Sequence, residues 1–527
     1  MSTRISTTAP PTSRAAAGRM IGWLPALVAA AYVVVVVVHF QAFIRALYWD
    51  SDAAGAFVLG ALGHGNGGVV IPRFGFWTSL WWLLGTRRLP AHEHLWEVTG
   101  YTFALTTAAL VGWATSRVAG RWAGVTAAAA AIVVGPVALR SLLTVNLHTS
   151  TPFTAAVLAA YLVVLGSSRV WLLAVAVGVL AGLNAASDPL LWIAGIAPFA
   201  LSAGVLASAT RRREIAGQGA VVLGVAAISA FSTDRLMRSL DFHIIPVGLE
   251  PARMADLIPN FVSLGKSIAL LFGANFLSYP TYPIDPIRSL VALLGFAALA
   301  ATVLAAVRLT VHRSEPTRWA YACFWATSAL LIGLAYWTTN QAAGSGPEGG
   351  VRYMLTLAPA AGVGAAMLGA ESLNRRAVVS FAIALVGVVN VAGVGRAAEH
   401  VNAGTNGPEI IRVLRREGLT RGYAPFWDAQ SLTWQSGMRL LVAPVHTCHP
   451  PRGRDLCRDN FFTIDSWYDE RAGPSFLIVD PAGGLWTKPP HALGRPTEAH
   501  HFGSNVTVYV YPYDIARQIR SSGQGER

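Results

Sequence analysis

The sequence predicts a polytopic α-helical membrane protein of about eleven transmembrane helices, followed by a small α/β domain. Three observations predict it. Of 527 residues, 54% are hydrophobic and 13% charged, with a mean hydropathy of +0.47, more apolar surface than a soluble globule hides. Apolar stretches of about 17 to 25 residues, the length that crosses a bilayer core, recur along the chain and stop near Arg396. Beyond that point the composition is that of a soluble domain.

Residues 1–20, rich in Ser, Thr, Ala and Arg, read as a loose cytoplasmic tail. The membrane domain follows over 21–395, with spans near 21–40, 95–116, 123–139, 152–168, 171–186, 190–208, 215–231, 287–307, 319–337, 353–370 and 377–395. The first, "IGWLPALVAAAYVVVVVVHF", reads as a retained anchor. A signal peptide is the alternative, but the apolar core exceeds the usual length and no clear A-x-A site follows. Alternate loops are basic: Arg117 and Arg121, Arg169, Arg211 to Arg213, Arg308 with Arg313 and Arg318, then Arg375 and Arg376. The positive-inside rule therefore predicts a multi-pass plasma-membrane protein with a cytoplasmic N-terminus and an extracytoplasmic domain over 396–527.

Two predicted outer loops are long. Loop 41–94 holds "DAAGAFVLGALG", the turn "GHGNGG" and the interfacial aromatic stretch "FGFWTSLWWLLG"; loop 232–286 holds "SIALLFGANFL", too short to span. Segment 338–352 makes a third loop on the same side. In the tail, "GPEIIRVLRREGL" has helical apolar spacing with Gly418 as its stop, and "RLLVAPV", "SFLIVD" and "VTVYVYPY" read as strands. Cys323 falls inside a span and reads as a packing residue. Cys448 and Cys457 lie nine positions apart in the tail, where an extracytoplasmic setting permits a disulfide; the rival reading, a metal site with His446 and His449, lacks a second ligand pair.

The net charge of +13 is almost wholly arginine, since Lys266 and Lys488 are the only lysines. Basic inner loops account for part of it through anionic lipid. The outer loops are basic as well, which points to an anionic ligand on the outer face; no nucleic-acid module is present.

Among residues able to carry chemistry, Asp50 stands first. A carboxylate at the mouth of a span, beside Tyr48 and Trp49, is costly to hold there and is placed to take a proton from an attacking hydroxyl. Helix capping is the alternative, and for Asp52 the stronger one. The D-x-D spacing also admits a divalent cation. Arg352 and Tyr353 open a late span, where a guanidinium grips phosphate bidentately or snorkels to headgroups. Lys266 and Arg73 are further phosphate candidates, and His64 and His148 are candidates for orienting substrate. Asp188, before Pro189, reads as turn chemistry, and Glu348 has similar standing.

This combination, a first span running into "YWDSD", a long first outer loop and "RYMLTLAP" opening a late span, resembles the GT-C glycosyltransferases. The resemblance implies a GT-C-like fold over about 20–395 and an enzyme that takes a sugar from a polyprenyl-phosphate carrier. It further implies Asp50 as base, with Asp52 as the other candidate, and Arg352 and Tyr353 near the lipid phosphate. The sequence departs from the family pattern: no acidic pair stands at 50–51, and the proline of "RYMLTLAP" comes late. The function expected is an inverting transferase acting on an envelope glycan, lipoglycan or protein. The alternative is a transporter or flippase for an anionic lipid-linked substrate, which would place ionisable groups at mid-membrane and show related halves. A third reading is a scaffold whose outer domain binds a partner.

Overall fold

The apolar runs fold as helices that meet through small residues and turn their large aliphatic side chains outward. The computed structural model describes residues 13–47, 51–62, 68–72, 93–143, 148–167, 170–245, 250–273, 286–311, 315–400, 407–448, 456–459, 461–481, 485, 489, 491–503 and 505–520. Helix α1 (Ser13–Leu47) precedes α2 (Ser51–Leu62), strand β1 (Val69–Pro72) and α3 (Glu93–Ala119). Then come α4 (Arg121–Ile132), α5 (Pro136–Leu143), α6 (Ser150–Val164), α7 (Trp171–Ser187) and α8 (Ala197–Thr210), the last entered through a π-helical turn, Trp192–Ile196. Helix α9 (Arg213–Ser239), β2 (Phe242–Ile245), α10 (Leu257–Leu271), α11 (Pro286–Val311), α12 (Pro316–Thr338), α13 (Gln341–Met354), α14 (Leu357–Gly369) and α15 (Leu373–His400) complete this part.

Ala114, Ala123, Ala127, Ala155 and Ala159 are buried between α3, α4 and α6, the close packing that small residues allow where lipid leaves no hydrophobic force between helices. Leu172, Val38 and Ile228 project outward, with Leu172 86% exposed, as a lipid-facing surface requires.

Among the described residues seven helices are long and apolar enough to cross a membrane, or nine if each of two bent pairs counts as one span. The expected number was about eleven. The difference lies in helices too short for a full span, α6 and α7, and in α3, which is not among those candidates. Conversely, the segment containing "SIALLFGANFL", expected to be too short, forms α10, and with the preceding 3-10 turn it reaches 18 residues. Segment 338–352, expected as a loop, is mostly the helix α13. Its Val351 and Met354 are fully buried, and the Pro347 carbonyl accepts a bond from Ser267 Oγ at 3.0 Å. Buried packing here overrides the Gly and Pro content that reads as a loop.

The tail folds around a seven-stranded sheet. Helix α16 (Gly407–Arg416) leads to β3 (Arg421–Ala424), α17 (Phe426–Gln435), β4 (Leu441–Thr447), β5 (Leu456–Arg458), β6 (Thr463–Ile464), β7 (Ser475–Val479), β8 (Glu498–Phe502), β9 (Val506–Tyr511) and β10 (Ile519–Arg520). The order is β10-β5-β4-β3-β7-β9-β8, with β3, β4 and β7 mutually parallel in the middle. Gly418, at φ +69°, ends the α16 turn.

Strand β1 pairs in parallel with β2 and antiparallel with β6, so one small sheet joins two long connectors of the helical part to the tail. Gly68 precedes β1 at φ +73°; a Cβ there would lie 2.2 Å from Asp465 Oδ2, and its N–H donates to Asp241 Oδ2 at 2.8 Å. A shared core seals this seam: Val58 and Leu59 of α2, Ala186 of α7 and Met237 of α9 pack with Tyr423, Phe462 and Trp467.

Candidate functional site

The α6 and α7 ends nearest the seam carry a buried polar pair that the sequence keeps 40 positions apart. His148 precedes α6 in a left-handed backbone conformation, φ 59°, a strained state for a non-glycine residue that surrounding contacts must hold in place. Its Nδ1 lies 2.8 Å from Oδ2 of Asp188, the residue that caps the C-terminal end of α7. Thr151 Oγ1 donates to the same oxygen, and the Leu190 N–H donates to Oδ1 at 3.0 Å. Both side chains are more than nine-tenths buried. A second polar layer supports them, with Ser150 Oγ donating to Asn184 Oδ1 at 2.7 Å and Asn184 Nδ2 near Thr151 Oγ1 at 3.5 Å.

Burial pushes the Asp188 carboxyl up, but the charge and hydrogen bond of His148, with the Thr151 and Leu190 donors, outweigh it and hold the group below the usual carboxylate range. Asp188 is thus kept ionised and fixes the ring of His148.

The His148 ring packs against Tyr353, centroids 4.8 Å apart. The Arg352 guanidinium lies over the Tyr353 ring at 5.1 Å, and its Nη2 donates to the Tyr353 hydroxyl at 3.2 Å, a cation–π pairing that orients a planar cation. Tyr336, 6.1 Å from Tyr353 by centroid, lies within hydrogen-bond range of Ser263 Oγ (3.1 Å) and Ser267 Oγ (3.5 Å). His148, Asp188, Tyr336 and Tyr353 line one cavity of about 160 Å³. Lys266 lines an adjoining hollow of about 460 Å³ with Ser263, Ala342 and Pro347, so Tyr336 stands between the two. An imidazole and two phenols line the first hollow with the Asp188 carboxylate, the Lys266 ammonium lines the second with Asp256, and the Arg352 guanidinium stacks on Tyr353.

Of the residues singled out in the sequence, the structure brings together His148, Arg352 and Tyr353, with Lys266 one side chain away. Asp52 falls in the first turn of α2, and its side chain is outside the described set. Asp50, His64 and Arg73 lie outside the described residues, so the cation reading of Asp50 with Asp52 lies outside them too. Cys448 and Cys457 are joined as a disulfide, Cα–Cα 5.1 Å, which leaves no thiolates for the rival metal reading with His446 and His449. Among the described residues, Glu417, Glu498 and His500 present ligand atoms within 4.8 Å of one another, a donor set that fits a divalent cation in the tail domain.

Asp188 is the residue sequence reasoning undervalued. Before a proline, an Asp reads as a turn, and its Leu190 bond is indeed turn chemistry. The added partners, His148 and Thr151, are visible only once α6 and α7 are packed. The local signal that existed was "NLHTST" and "NAASDP", polar clusters at the ends of two successive apolar runs.

Fold and site define a polytopic helical membrane protein with a largely apolar cavity, bearing the buried His148–Asp188 pair, beside the junction with its sheet-containing tail domain. No protein-family model matches the chain, and no curated protein matches it. Among solved structures it is similar to ArnT from Cupriavidus metallidurans bound to undecaprenyl phosphate, at 14% identity and TM-score 0.47 over 91% of this chain and 97% of that one. It is also similar to the oligosaccharyltransferase AglB from Archaeoglobus fulgidus in complex with an inhibitory peptide and a dolichol-phosphate, at 13% identity and TM-score 0.43 over 78% and 64%. Both neighbours belong to the GT-C superfamily that the sequence resembles. With TM-scores under 0.5 the likeness carries no further argument, and the functional reading rests on the residues.

Proposed function

We propose that the protein is an inverting glycosyltransferase that moves a sugar from a polyprenyl-phosphate carrier to an envelope glycan, lipoglycan or protein on the outer face of the membrane. The observation that carries this reading is that Tyr353, with Arg352 stacked on it, and the Asp188-held His148 line one cavity, with Lys266 in the adjoining hollow. Cations fixed before substrate arrives stabilise charge that develops on a leaving phosphate without reorganising at the moment of reaction. Arg352 and Lys266, with Arg73, take the donor phosphate. His148, fixed by Asp188, adds a donor to the same oxygens, and His64 orients the sugar. Asp50 takes the proton of the acceptor hydroxyl as its oxygen attacks the anomeric carbon. The bond to phosphate breaks from the opposite face, and the polyprenyl phosphate leaves with the electron pair. Asp52, in the first turn of α2, is the alternative base. The tail domain then faces the extracytoplasmic side, with the N-terminus in the cytoplasm.

The test is transfer from a panel of radiolabelled polyprenyl-phosphate sugars by the purified protein, comparing wild type with Asp50→Asn, Asp52→Asn and Arg352→Gln at equal folded yield. The expected result is transfer reduced at least about 100-fold in Asp50→Asn, a raised donor KM in Arg352→Gln, and a small effect of Asp52→Asn. Transfer unaffected by Asp50→Asn removes the assigned base. Lipid movement without transfer replaces the enzyme with a flippase.

A further inference from the structure

The central strands β3, β4 and β7 are parallel, so their N-terminal ends lie together along one edge of the tail domain. Residues at all three ends, Arg421, Leu441 and Pro474, line a single cavity of about 570 Å³, to which Leu62 at the end of α2 also contributes. At its base sits a buried guanidinium whose donors the described residues do not all meet. Arg421 opens the central strand and is only 7% exposed. Its Nη2 donates to the Trp467 carbonyl, but the buried Nε and Nη1 have no hydrogen-bond acceptor among the described residues. Leaving donors of a buried guanidinium unmet is costly.

The nearest carboxylate is not free to meet them. Asp514 approaches Arg421 Nε only to 3.8 Å. Its own oxygens are held by the Tyr423 hydroxyl at 2.7 Å, the Ala516 N–H at 3.0 Å and the Arg471 N–H at 3.0 Å. Arg439 and Arg471 stand exposed in the lining, which also holds two acids, the exposed Asp469 and the buried Asp514. Three arginines, Arg421, Arg439 and Arg471, stand against the two carboxylates Asp469 and Asp514, so the lining carries a net positive charge.

We infer that this cavity is an oxyanion site for a saccharide bearing a phosphate or carboxylate group. The anion meets Arg421 at the base, where a planar fork of donors suits either group bidentately, and Arg439 and Arg471 close over it. The volume lies within the range of small-molecule sites and exceeds what a bare oxyanion fills. Leu62, Met438 and Pro474 offer apolar wall to a sugar ring. Helix α2 runs from the Asp50–Asp52 region to this cavity, 12 residues, or about 17 Å at 1.5 Å per residue. Resting on the proposed function, the site holds an anionic unit of the acceptor glycan about one helix length from the reacting hydroxyl; the binding itself does not depend on that reading.

The experiment is calorimetric titration of the full-length protein in detergent, without lipid donor, using inorganic phosphate, mannose 6-phosphate, glucuronate and uncharged mannose. The variants are Arg421→Lys and the doubly substituted Arg439→Gln/Arg471→Gln, whose exposed side chains leave the fold intact and spare the Arg471 N–H bond. Saturable binding of mannose 6-phosphate or glucuronate, absent for mannose and at least about tenfold weaker in both variants, supports the site. Preference between the two sugars identifies phosphate or carboxylate as the group recognised. Binding of inorganic phosphate as tight as that of the better sugar overturns the saccharide part, leaving an anion site alone. No saturable binding, or binding unchanged in both variants, overturns the proposal. Asp50→Asn protein binds these probes as wild type does, so a failure of the transfer reading is distinguishable from a failure of this one.

Discussion

Replacing Asp188 by Asn tests whether the buried pair works as a unit. The substitution keeps the shape and one acceptor oxygen, so the 3.0 Å bond from the Leu190 N–H survives. The amide nitrogen takes the place of Oδ2, which accepts from both His148 Nδ1 at 2.8 Å and Thr151 Oγ1. The threonine hydroxyl is able to rotate and accept. The imidazole meets a donor unless its proton moves to Nε2. The one buried bond lost, from His148 Nδ1, sets a loss of roughly 1 to 3 kcal/mol in holding the ring. If His148 serves the donor phosphate, a fraction of this reaches the transition state, and kcat/KM falls by about 10- to 100-fold. The assay is transfer kinetics of Asp188→Asn, His148→Gln and the double variant, at equal folded yield. A double variant no worse than the poorer single one shows the two residues acting together. Effects that add within about 0.5 kcal/mol, or an Asp188→Asn rate within twofold of wild type, would refute the argument. The pH dependence follows from the sign of the shift. Because the folded carboxyl lies below its ordinary value, its stabilisation is complete above the unfolded value, about 4, and is lost as pH falls through the lower folded one.

Other predictions concern the tail domain and the seam. Burial first, and the charge of Asp480 second, push the Asp428 carboxyl up to about 7, and its Oδ2 has no hydrogen-bond partner among the described residues. Between pH about 4 and about 7 the folded domain holds a proton that the unfolded chain has lost, so stability falls as pH rises through this window, by at most about 4 kcal/mol. Asp428→Asn should raise Tm at pH 8 and flatten the decline from pH 5 to 8; an unchanged wild-type slope in the variant counts against the shift. Gly55 faces Phe462 across the seam, where an added Cβ would lie 2.6 Å from the ring. Gly55→Val should loosen α2 from the tail domain, seen as faster proteolysis of the full-length protein and lower transfer, whereas protection equal to wild type would mean the seam absorbs the extra volume.

Much of the fold was legible because its cause is local. Apolar runs bounded by arginines gave the helical part. In the tail, "GPEIIRVLRR", "SFLIV" and "VTVYVY" coincide with α16, β7 and β9, since amphipathic period and β-branched content act within a few residues of themselves. Arg352 and Tyr353 were legible as a pair opening a late span, but the helix that precedes them over 341–351 was not, because the buried contacts that hold α13 come from α10 and α12. Strand β1 was hidden in "GGVVIP" behind a glycine-rich turn, for its partners are about 170 and 390 positions away. The His148–Asp188 pair was hidden for the same reason. Each residue satisfies a bland local reading, and only packing of α6 against α7 turns two turn residues into one charged group.

Those non-local contacts share one location, and that gives the seam a role in the chemistry. Ala186, two residues before Asp188, belongs to the same core as Val58 and Leu59 of α2 and Phe462 of the tail. The end of α7 that positions Asp188 and the helix that leads from the Asp50–Asp52 region are therefore packed against one rigid sheet. A transferase must keep its base and its phosphate grip at a fixed separation, because misplacement of about 1 Å costs about 100-fold in rate. Two helix ends in a lipid-exposed bundle do not guarantee that separation, since each is free to tilt. A shared buried core does, which explains why the tail domain is joined through β1, β2 and β6 rather than hung on a linker after α15. On the proposed function the tail would be part of the catalytic geometry, and severing it should reduce transfer even where the helical part remains folded.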